Sequence, residues 1–270
     1  MGNRQSIITL LTDFGSQDYF VGAMKGAILS INRHALIIDI THEIPPQDIE
    51  TAAFSLLATY KDFPAGTIHV AVVDPGVGST RKPILIECGE QFFVGPDNGI
   101  FSWICEREGS GRAIHLTNEA FFRHPVSMTF HGRDIFAPVA AALSTGVAMT
   151  EFGEKLNDFV RLDPLLPAVT SDGCVEGRVI HIDRFGNCVT NLTCAHFSAD
   201  QAASGAKLVI NGHELTSFRQ CFSEGAIDGD DLFCLAGSAG FLEIAARNSS
   251  AARVLNAACG NRVIAVTKPR

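Results

Sequence analysis

Ile7-Ile8-Thr9-Leu10-Leu11-Thr12-Asp13 is the stretch on which the fold class turns. The run Ile7 to Leu11 is apolar or β-branched at every position, so it reads as a strand buried on both faces. A half-exposed strand would alternate apolar with polar residues. A carboxylate, Asp13, stands where the strand ends. The pattern returns downstream as Ala35 to Ile40 with Asp39, and as Thr67 to Val73 with Asp74. Helix-like stretches lie between these runs, at 18–31 and 48–60. Buried strands separated by helices predict a mostly parallel sheet covered on both sides, an α/β architecture.

Further strands are expected at 83–88 and 91–94, then a helix near 99–107 and an apolar helix over 134–144. The last starts just after His131-Gly132-Arg133-Asp134 and carries Pro138 in its early turns, where a missing N–H costs least. Asp134 then reads as an N-cap. The texture changes around Pro164 and Pro167, beyond which the apolar runs are short and punctuated by glycine. Strands are expected there at 175–182, 188–192, 207–210, 232–235, 241–245 and 262–267. The expected organisation is an N-terminal α/β domain over 1–165, a linker over 166–172 and a smaller antiparallel β-barrel domain over 173–270.

Composition narrows the class. With 270 residues, 46% hydrophobic and 19% charged, the chain is too apolar for disorder and too interrupted by charge for a membrane protein, so a soluble globular protein is expected. A net charge of −8 argues against nucleic-acid binding, which depends on Lys and Arg neutralising phosphates. The eight cysteines form no CxxC pair and no signal peptide precedes the first apolar run, so reduced, mostly buried thiols in a cytoplasmic protein are expected. Met1-Gly2 with Ser6 has the form of an N-myristoylation site, a match short enough to arise by accident.

In open α/β sheets ligands collect beyond the carboxyl ends of the strands. Asp13, Asp39 and Asp74 all end strands, and each could hold ribose hydroxyls, orient a water or merely cap the next helix; Asp39 has the weakest functional case. Gly76-Val77-Gly78 lacks both the third glycine of a dinucleotide fingerprint and a GK[ST] ending, so it reads as a sharp turn or a close approach of backbone. Pro96-Asp97-Asn98-Gly99 reads as a tight turn. The nine histidines form no zinc pattern, and no serine sits in a Gly-x-Ser-x-Gly elbow. His131 stands out because it lies in a polar turn ahead of an apolar helix. Asp183-Arg184-Phe185-Gly186-Asn187 offers an acid, an aromatic ring and an amide, or simply a hairpin turn. Ser238 to Ala245 is either a strand with a close-approach glycine or a ligand wall.

Together these segments resemble the S-adenosylmethionine hydroxide adenosyltransferases, relatives of fluorinating and chlorinating enzymes. The resemblance runs through Thr12-Asp13-Phe14-Gly15, Ile44-Pro45-Pro46, Val73 to Gly78 with Arg81, and Gly95 to Gly99. It continues through Phe130 to Asp134, Asp183 to Asn187 and Gly240 to Ala245. It implies hydrolysis of S-adenosylmethionine to adenosine and methionine by attack of water on ribose C5′, with no cofactor, metal, nucleic acid or membrane involved. It implies that Asp13 holds the ribose hydroxyls and that Asp74, Arg81 and His131 position and activate the water. Asp18 and Phe130 would be further substrate contacts, and Asp183 would bind the methionine ammonium. Phe185, Asn187, Ser238, Glu243 and Ala246 would contact adenine or methionine. It also implies a homotrimer with each site between the first domain of one subunit and the second domain of its neighbour.

The halogenating relatives carry tyrosine in place of Asp74, serine in place of Gly132 and tryptophan in place of Gln47. A carboxylate repels halide, which disfavours halogenation. The remaining alternative is a sensor that binds adenosine or S-adenosylmethionine without turnover. It would have no use for a water-activating group.

Overall fold

The Ile7–Thr12 run forms strand β1, buried almost throughout. It pairs in parallel with β2 (Leu36–Thr41) on one side and β3 (Ile68–Val72) on the other. The computed structural model from which this follows describes residues 6–109, 111–224 and 231–266. Met1 and Gly2 of the acylation-like pattern lie outside them. The chain forms two compact units, Met1–Pro164 and Leu165–Arg270.

The first unit contains a seven-stranded sheet completed by β4 (Pro83–Cys88), β5 (Gln91–Pro96), β6 (Gly111–Leu116) and β7 (Gly153–Leu156), in the order β2-β1-β3-β5-β4-β6-β7. β5 is parallel to β3, whereas β4 is antiparallel to both its neighbours and β7 to β6. Five of the seven strands therefore run the same way. The period-two alternation of strands divides β1 between two cores. Ile8 and Leu10 pack with Val70 and Val72 under α1 (Phe20–Ile31) and α4 (Ala137–Ser144). Met24, Ala27 and Ile28 of α1 form the helical stripe that covers them. On the other face lie α2 (Ile49–Thr59) and α3 (Ser102–Glu108). Asp48 caps α2 by accepting Thr51 N–H at 2.9 Å, so the helix begins one residue later than its apolar pattern suggests.

That second face carries a chain of buried polar groups, each satisfied by the next. Thr9 Oγ1 lies 2.7 Å from His69 Nδ1, His69 Nε2 meets Gln91 Oε1, and Gln91 Nε2 donates to the Tyr60 carbonyl at 2.8 Å. Gln91 Oε1 accepts only, so the imidazole proton sits on Nε2 and the Thr9 hydroxyl donates to Nδ1. Burial pushes the His69 pKa down to about 4.

The predicted helix over 134–144 differs in its first turn. Residues Gly132–Phe136 form a π-helical turn that runs into α4. Asp134 is inside that turn rather than capping it, and its fully buried carboxylate accepts from Ser127 N–H and Arg133 instead.

The second unit is an antiparallel sheet that nearly closes into a barrel. Its strands are β8 (Ala168–Val169), β9 (Val175–Ile182), β10 (Cys188–Thr190), β11 (Lys207–Ile210), β12 (His213–Leu215), β13 (Leu232–Ala236), β14 (Leu242–Ala246) and β15 (Arg262–Val266). The order is β12-β11-β15-β9-β10-β14-β13, with β8 added on β9. A bridge between Phe218, just past β12, and Cys234 on β13 brings the two ends of that order together. Val179, Leu208, Cys234, Ile244 and Val263 fill the interior. Two short helices, α5 (Ala199–Ala203) and α6 (Ala251–Val254), lie in the connections.

The thiols depart from expectation. Cys88, Cys105, Cys188 and Cys234 are buried, but Cys194, Cys221 and Cys259 are exposed and Cys174 partly so, so half rather than most are buried. Among the described residues, no helix is long and apolar enough to cross a membrane.

Candidate active site

Parallel pairing of β1 with β3 sets Thr12 opposite Val72, so the chain leaves both strands at the same edge of the sheet and delivers Asp13 and Asp74 to one place. Both line a cavity of about 410 Å³, a size typical of small-molecule sites. Phe14, Phe20 and Phe130 supply apolar wall, and Gln47, Thr129 and His131 add polar groups. The three rings pack together, with Phe130 edge-on to both of the others.

From Asp74 the chain folds back on itself. Val77 N–H donates to the Asp74 carbonyl at 3.2 Å and Ser79 N–H to the Gly76 carbonyl at 3.0 Å. Gly78 has φ 75° and a Cβ there would stand 2.3 Å from the Met128 carbonyl oxygen, so this position requires glycine on both counts. The fold-back returns Arg81 to Asp74, with Nε donating to Oδ1 at 2.9 Å and Nη2 donating to Oδ2. Nη2 also donates to His131 Nδ1 at 2.7 Å. The pair is shielded, with side-chain exposures of 9% for Arg81 and 5% for Asp74. Arg81 Nη1 is buried without a hydrogen-bond partner among the described residues.

This geometry settles the state of His131. Guanidinium has donors only, so Nδ1 is a bare lone pair and the ring proton is on Nε2. Burial lowers the His131 pKa, and the neighbouring Arg81 charge lowers it further, which keeps the ring neutral at neutral pH. His131 sits directly ahead of the π turn, a local geometry often found at functional sites. Asp134 fixes that turn. Its oxygens accept Ser127 N–H at 2.9 Å and Arg133 Nε–H and Nη2–H at 2.7 and 2.9 Å, and its carbonyl accepts Arg123 N–H at 2.8 Å. Burial alone would raise the Asp134 pKa, but these donors hold it below the usual carboxylate value. The segment carrying Thr129 and Phe130 is thereby tied to the turn that presents His131.

Asp13 Oδ2 accepts Gln47 N–H at 2.8 Å, and Gln47 holds φ 68°, a left-handed conformation unusual for a residue with a side chain. Asp18 is exposed and is not part of this cavity wall.

The second unit gathers another set. Phe185, Asn187 and Ala246 line a cavity of about 520 Å³ together with Phe222, Asn248, Ser249, Ser250 and Arg253. Asp183 builds the turn between β9 and β10: Oδ1 accepts the N–H groups of Phe185 and Asn187 at 2.9 and 2.8 Å, and Oδ2 accepts Asn187 Nδ2 at 2.9 Å. That turn leaves the Phe185 ring 79% exposed. Gly186 lets the turn approach α6, because a Cβ there would stand 2.1 Å from Ser250 Oγ. Burial raises the Glu243 pKa, and the Asp183 charge raises it further. Ser238 is exposed in the turn between β13 and β14.

Sequence reasoning missed Asp134 as an organiser, the Gln47 amide, and the wall formed by Phe222, Ser249, Ser250 and Arg253. Only the last left a trace, since Ser250 caps α6 by accepting Arg253 N–H. Among the described residues, no three His, Cys, Asp or Glu side chains cluster as a metal site requires.

Residues 8–153 match the model of the SAM hydroxide adenosyltransferase N-terminal domain and residues 177–264 that of the C-terminal domain. The chain is 40% identical over 260 residues to an (R)-S-adenosyl-L-methionine hydrolase of Methanocaldococcus jannaschii, covering 93% of this chain and 92% of the relative. It is 35% identical over 263 residues to one of Salinispora tropica, covering 95% and 96%. Fluorinases are more distant, at 24–26% identity. A crystal structure of an uncharacterized conserved protein from Thermotoga maritima superposes with a TM-score of 0.86 at 34% identity, covering 96% of this chain and all of that one. Both domain models, in order and over most of the length, place the chain in the SAM hydroxide adenosyltransferase family.

Proposed function

We propose that the protein is an S-adenosyl-L-methionine hydrolase that forms adenosine and L-methionine. The observation that carries this reading is the Asp74–Arg81–His131 network on the wall of the first unit's cavity. The hydrolases among its relatives support it.

Water attacks the ribose C5′ in line with the sulfonium. The O–C5′ bond forms as C5′–S breaks, and the bonding pair leaves on sulfur as methionine's neutral thioether. A sulfonium is a good leaving group, so the protein's contribution is to orient the water and keep the site dry. The attacking oxygen becomes strongly acidic only as it bonds to carbon, so a weak base suffices. Asp74 accepts that proton and passes it to solvent. His131, protonated on Nε2, offers a donor to the water oxygen, and Arg81 holds both partners in place. Asp13 accepts the ribose hydroxyls, and Phe130 closes on the sugar.

On the second unit, Phe185 stacks on adenine while Asn187 and Ala246 line its edge. Asp183 and Glu243 form an acidic pair for the methionine ammonium, with Ser238 nearby in sequence. Asp18 is a peripheral contact. The protein works as a cytoplasmic homotrimer in which substrate is shared between the first unit of one subunit and the second unit of its neighbour. Light scattering on the purified protein tests the trimer.

The activity is tested by chromatography of the protein incubated with S-adenosylmethionine, with and without chloride. Equal amounts of adenosine and methionine, indifferent to chloride, are expected. Tight adenosine binding without product would mean a sensor, and 5′-chloro-5′-deoxyadenosine would mean a halogenase.

A further inference from the structure

Behind Asp13 lies a second layer of fixed groups that the reaction itself does not use. β2 runs in register with β1 up to Leu10 opposite Asp39 and then slips, with Leu11 opposite Thr41, so Ile40 is the extra residue of a β-bulge. In an unbroken strand, side chains three positions apart point to opposite faces. The bulge cancels that offset, as bulges near functional sites commonly do. His42, just past the strand, comes back beside Asp39 with Nε2 3.1 Å from Oδ1, within electrostatic contact though not aligned as a hydrogen bond. Lys25 of α1 donates to the other Asp39 oxygen at 2.6 Å.

A ring nitrogen facing a carboxylate at that distance carries a proton, and in the neutral ring His42 Nδ1 is then an acceptor. It lies 2.8 Å from Thr12 Oγ1, so the Thr12 hydroxyl donates to it. The hydroxyl oxygen is then free to accept Phe14 N–H, at 3.2 Å. The His42 carbonyl accepts Gly15 N–H at 2.8 Å, where Gly15 turns at φ 67°. Thr12 and Gly15 are thus tied to His42 directly and Phe14 through Thr12, and the residue they enclose is Asp13.

We propose that Lys25, Asp39 and His42 are positioning residues that hold the Asp13 turn in the geometry needed to bind a ribose diol, and so set the preference for ribose over deoxyribose nucleosides. This rests on the reading of Asp13 as the acceptor of the ribose hydroxyls. None of the three lines the cavity. They act through Thr12 and the backbone on either side of Asp13.

The experiment compares dissociation constants for adenosine and 2′,3′-dideoxyadenosine, by calorimetry, in the wild type and the variants Asp39→Asn, His42→Ala, His42→Asn and Asp13→Ala. The wild type should prefer adenosine. His42→Ala and Asp39→Asn should each weaken adenosine binding by about tenfold, the scale of losing one charge-assisted contact, with dideoxyadenosine binding nearly unchanged. His42→Asn, which keeps an acceptor near the Nδ1 position, should recover part of the preference. Asp39 is 40% exposed, so its variant should fold even if His42→Ala does not. Folded variants that keep the wild-type ratio, or that lose both nucleosides equally, would overturn the proposal. An Asp13→Ala variant with an undiminished ratio would instead overturn the Asp13 reading, and this one with it.

Discussion

Replacing Arg81 by lysine keeps the charge and removes the geometry. The guanidinium makes three hydrogen bonds at once, two to the Asp74 carboxylate and one to His131 Nδ1. A lysine ammonium on a thinner stem can keep one of these and not the fork. Two charge-assisted hydrogen bonds in a shielded place are lost, at about 1.5–3 kcal/mol each, or roughly 3–6 kcal/mol together. If the network matters mainly in the transition state, that corresponds to a fall in kcat of about 10²–10⁴. Asp74 would keep a cationic partner, so the cost to folding should be smaller, on the order of 1–3 kcal/mol. The assay is adenosine release at saturating S-adenosylmethionine, run beside thermal unfolding so that only folded protein is scored. An Arg81→Lys enzyme that unfolds normally and turns over within threefold of wild type would refute the view that this fork organises the reaction.

Three other expectations follow from the same structure. The acid limb of the pH–rate profile should fall below pH 6.5, because the His131 pKa is lowered and its protonation at Nδ1 would expel the Arg81 donor; a limb above that value would contradict the assignment of the ring. His69, neutral and buried with a pKa of about 4 against 6.5 when unfolded, contributes its stability fully above pH 6.5 and loses it as pH falls toward 4, up to roughly 3 kcal/mol. Urea midpoints at pH 7 and 5 should therefore converge in His69→Gln relative to wild type, and an unchanged pH dependence would rule His69 out as a source. Gly78→Ala should unfold at clearly lower urea than Gly66→Ala, since both glycines have positive φ but only at Gly78 would the new Cβ strike backbone, 2.3 Å from Met128 O; equal midpoints would show that the clash relaxes away.

The α/β layer was legible because its longer strands are near-continuous apolar runs, as at Ile7–Thr12, and in the barrel layer Val175–Ile182 is a strand as read although Glu176, Gly177 and Arg178 interrupt its apolar residues. The strands that escaped notice are short or mixed. Gly-Glu-Lys-Leu at β7 and His-Glu-Leu at β12 have too few apolar residues to show a period, and pairing with a neighbour is what makes them strands. Strand-end position marked Asp13, Asp39 and Asp74 alike, with helix capping as the alternative for each, and it is the parallel pairing of β1 with β3 that brings Asp13 and Asp74 to one cavity. The bond between Arg81 and His131 spans 50 residues and leaves no local trace. Gln47 contributes a backbone N–H, which no side-chain pattern announces, and Asp39 looked the weakest of the three strand-end acids because a bulge at Ile40 cannot be read from composition. Asp134 failed differently. A carboxylate ahead of an apolar helix usually caps it, but here the π turn carries the residue inward, where it binds the preceding loop.

Under the proposed mechanism, the choice between water and halide comes down to what Asp74 can do in its surroundings. Arg81 supplies one positive charge, and the bidentate carboxylate opposite it cancels that charge within the pair. A halide entering the cavity would meet a compensated arginine and a neutral imidazole, with no net charge to offset its desolvation. Water loses far less on entering and can use both the His131 donor and the Asp74 acceptor. Gly132 works in the same direction. A side chain there would start with its Cβ 3.2 Å from Met24 Sδ and 3.4 Å from Phe130, so a hydroxyl donor could be added only if the Met24 thioether gave way by a few tenths of an ångström. Asp74→Asn together with Gly132→Ser would uncover the arginine charge and add a donor, and it is this pair of changes, rather than either alone, that should raise chloride binding. Chloride protection against thermal unfolding that is no greater in the double variant than in wild type would show that charge compensation by Asp74 is not what excludes halide.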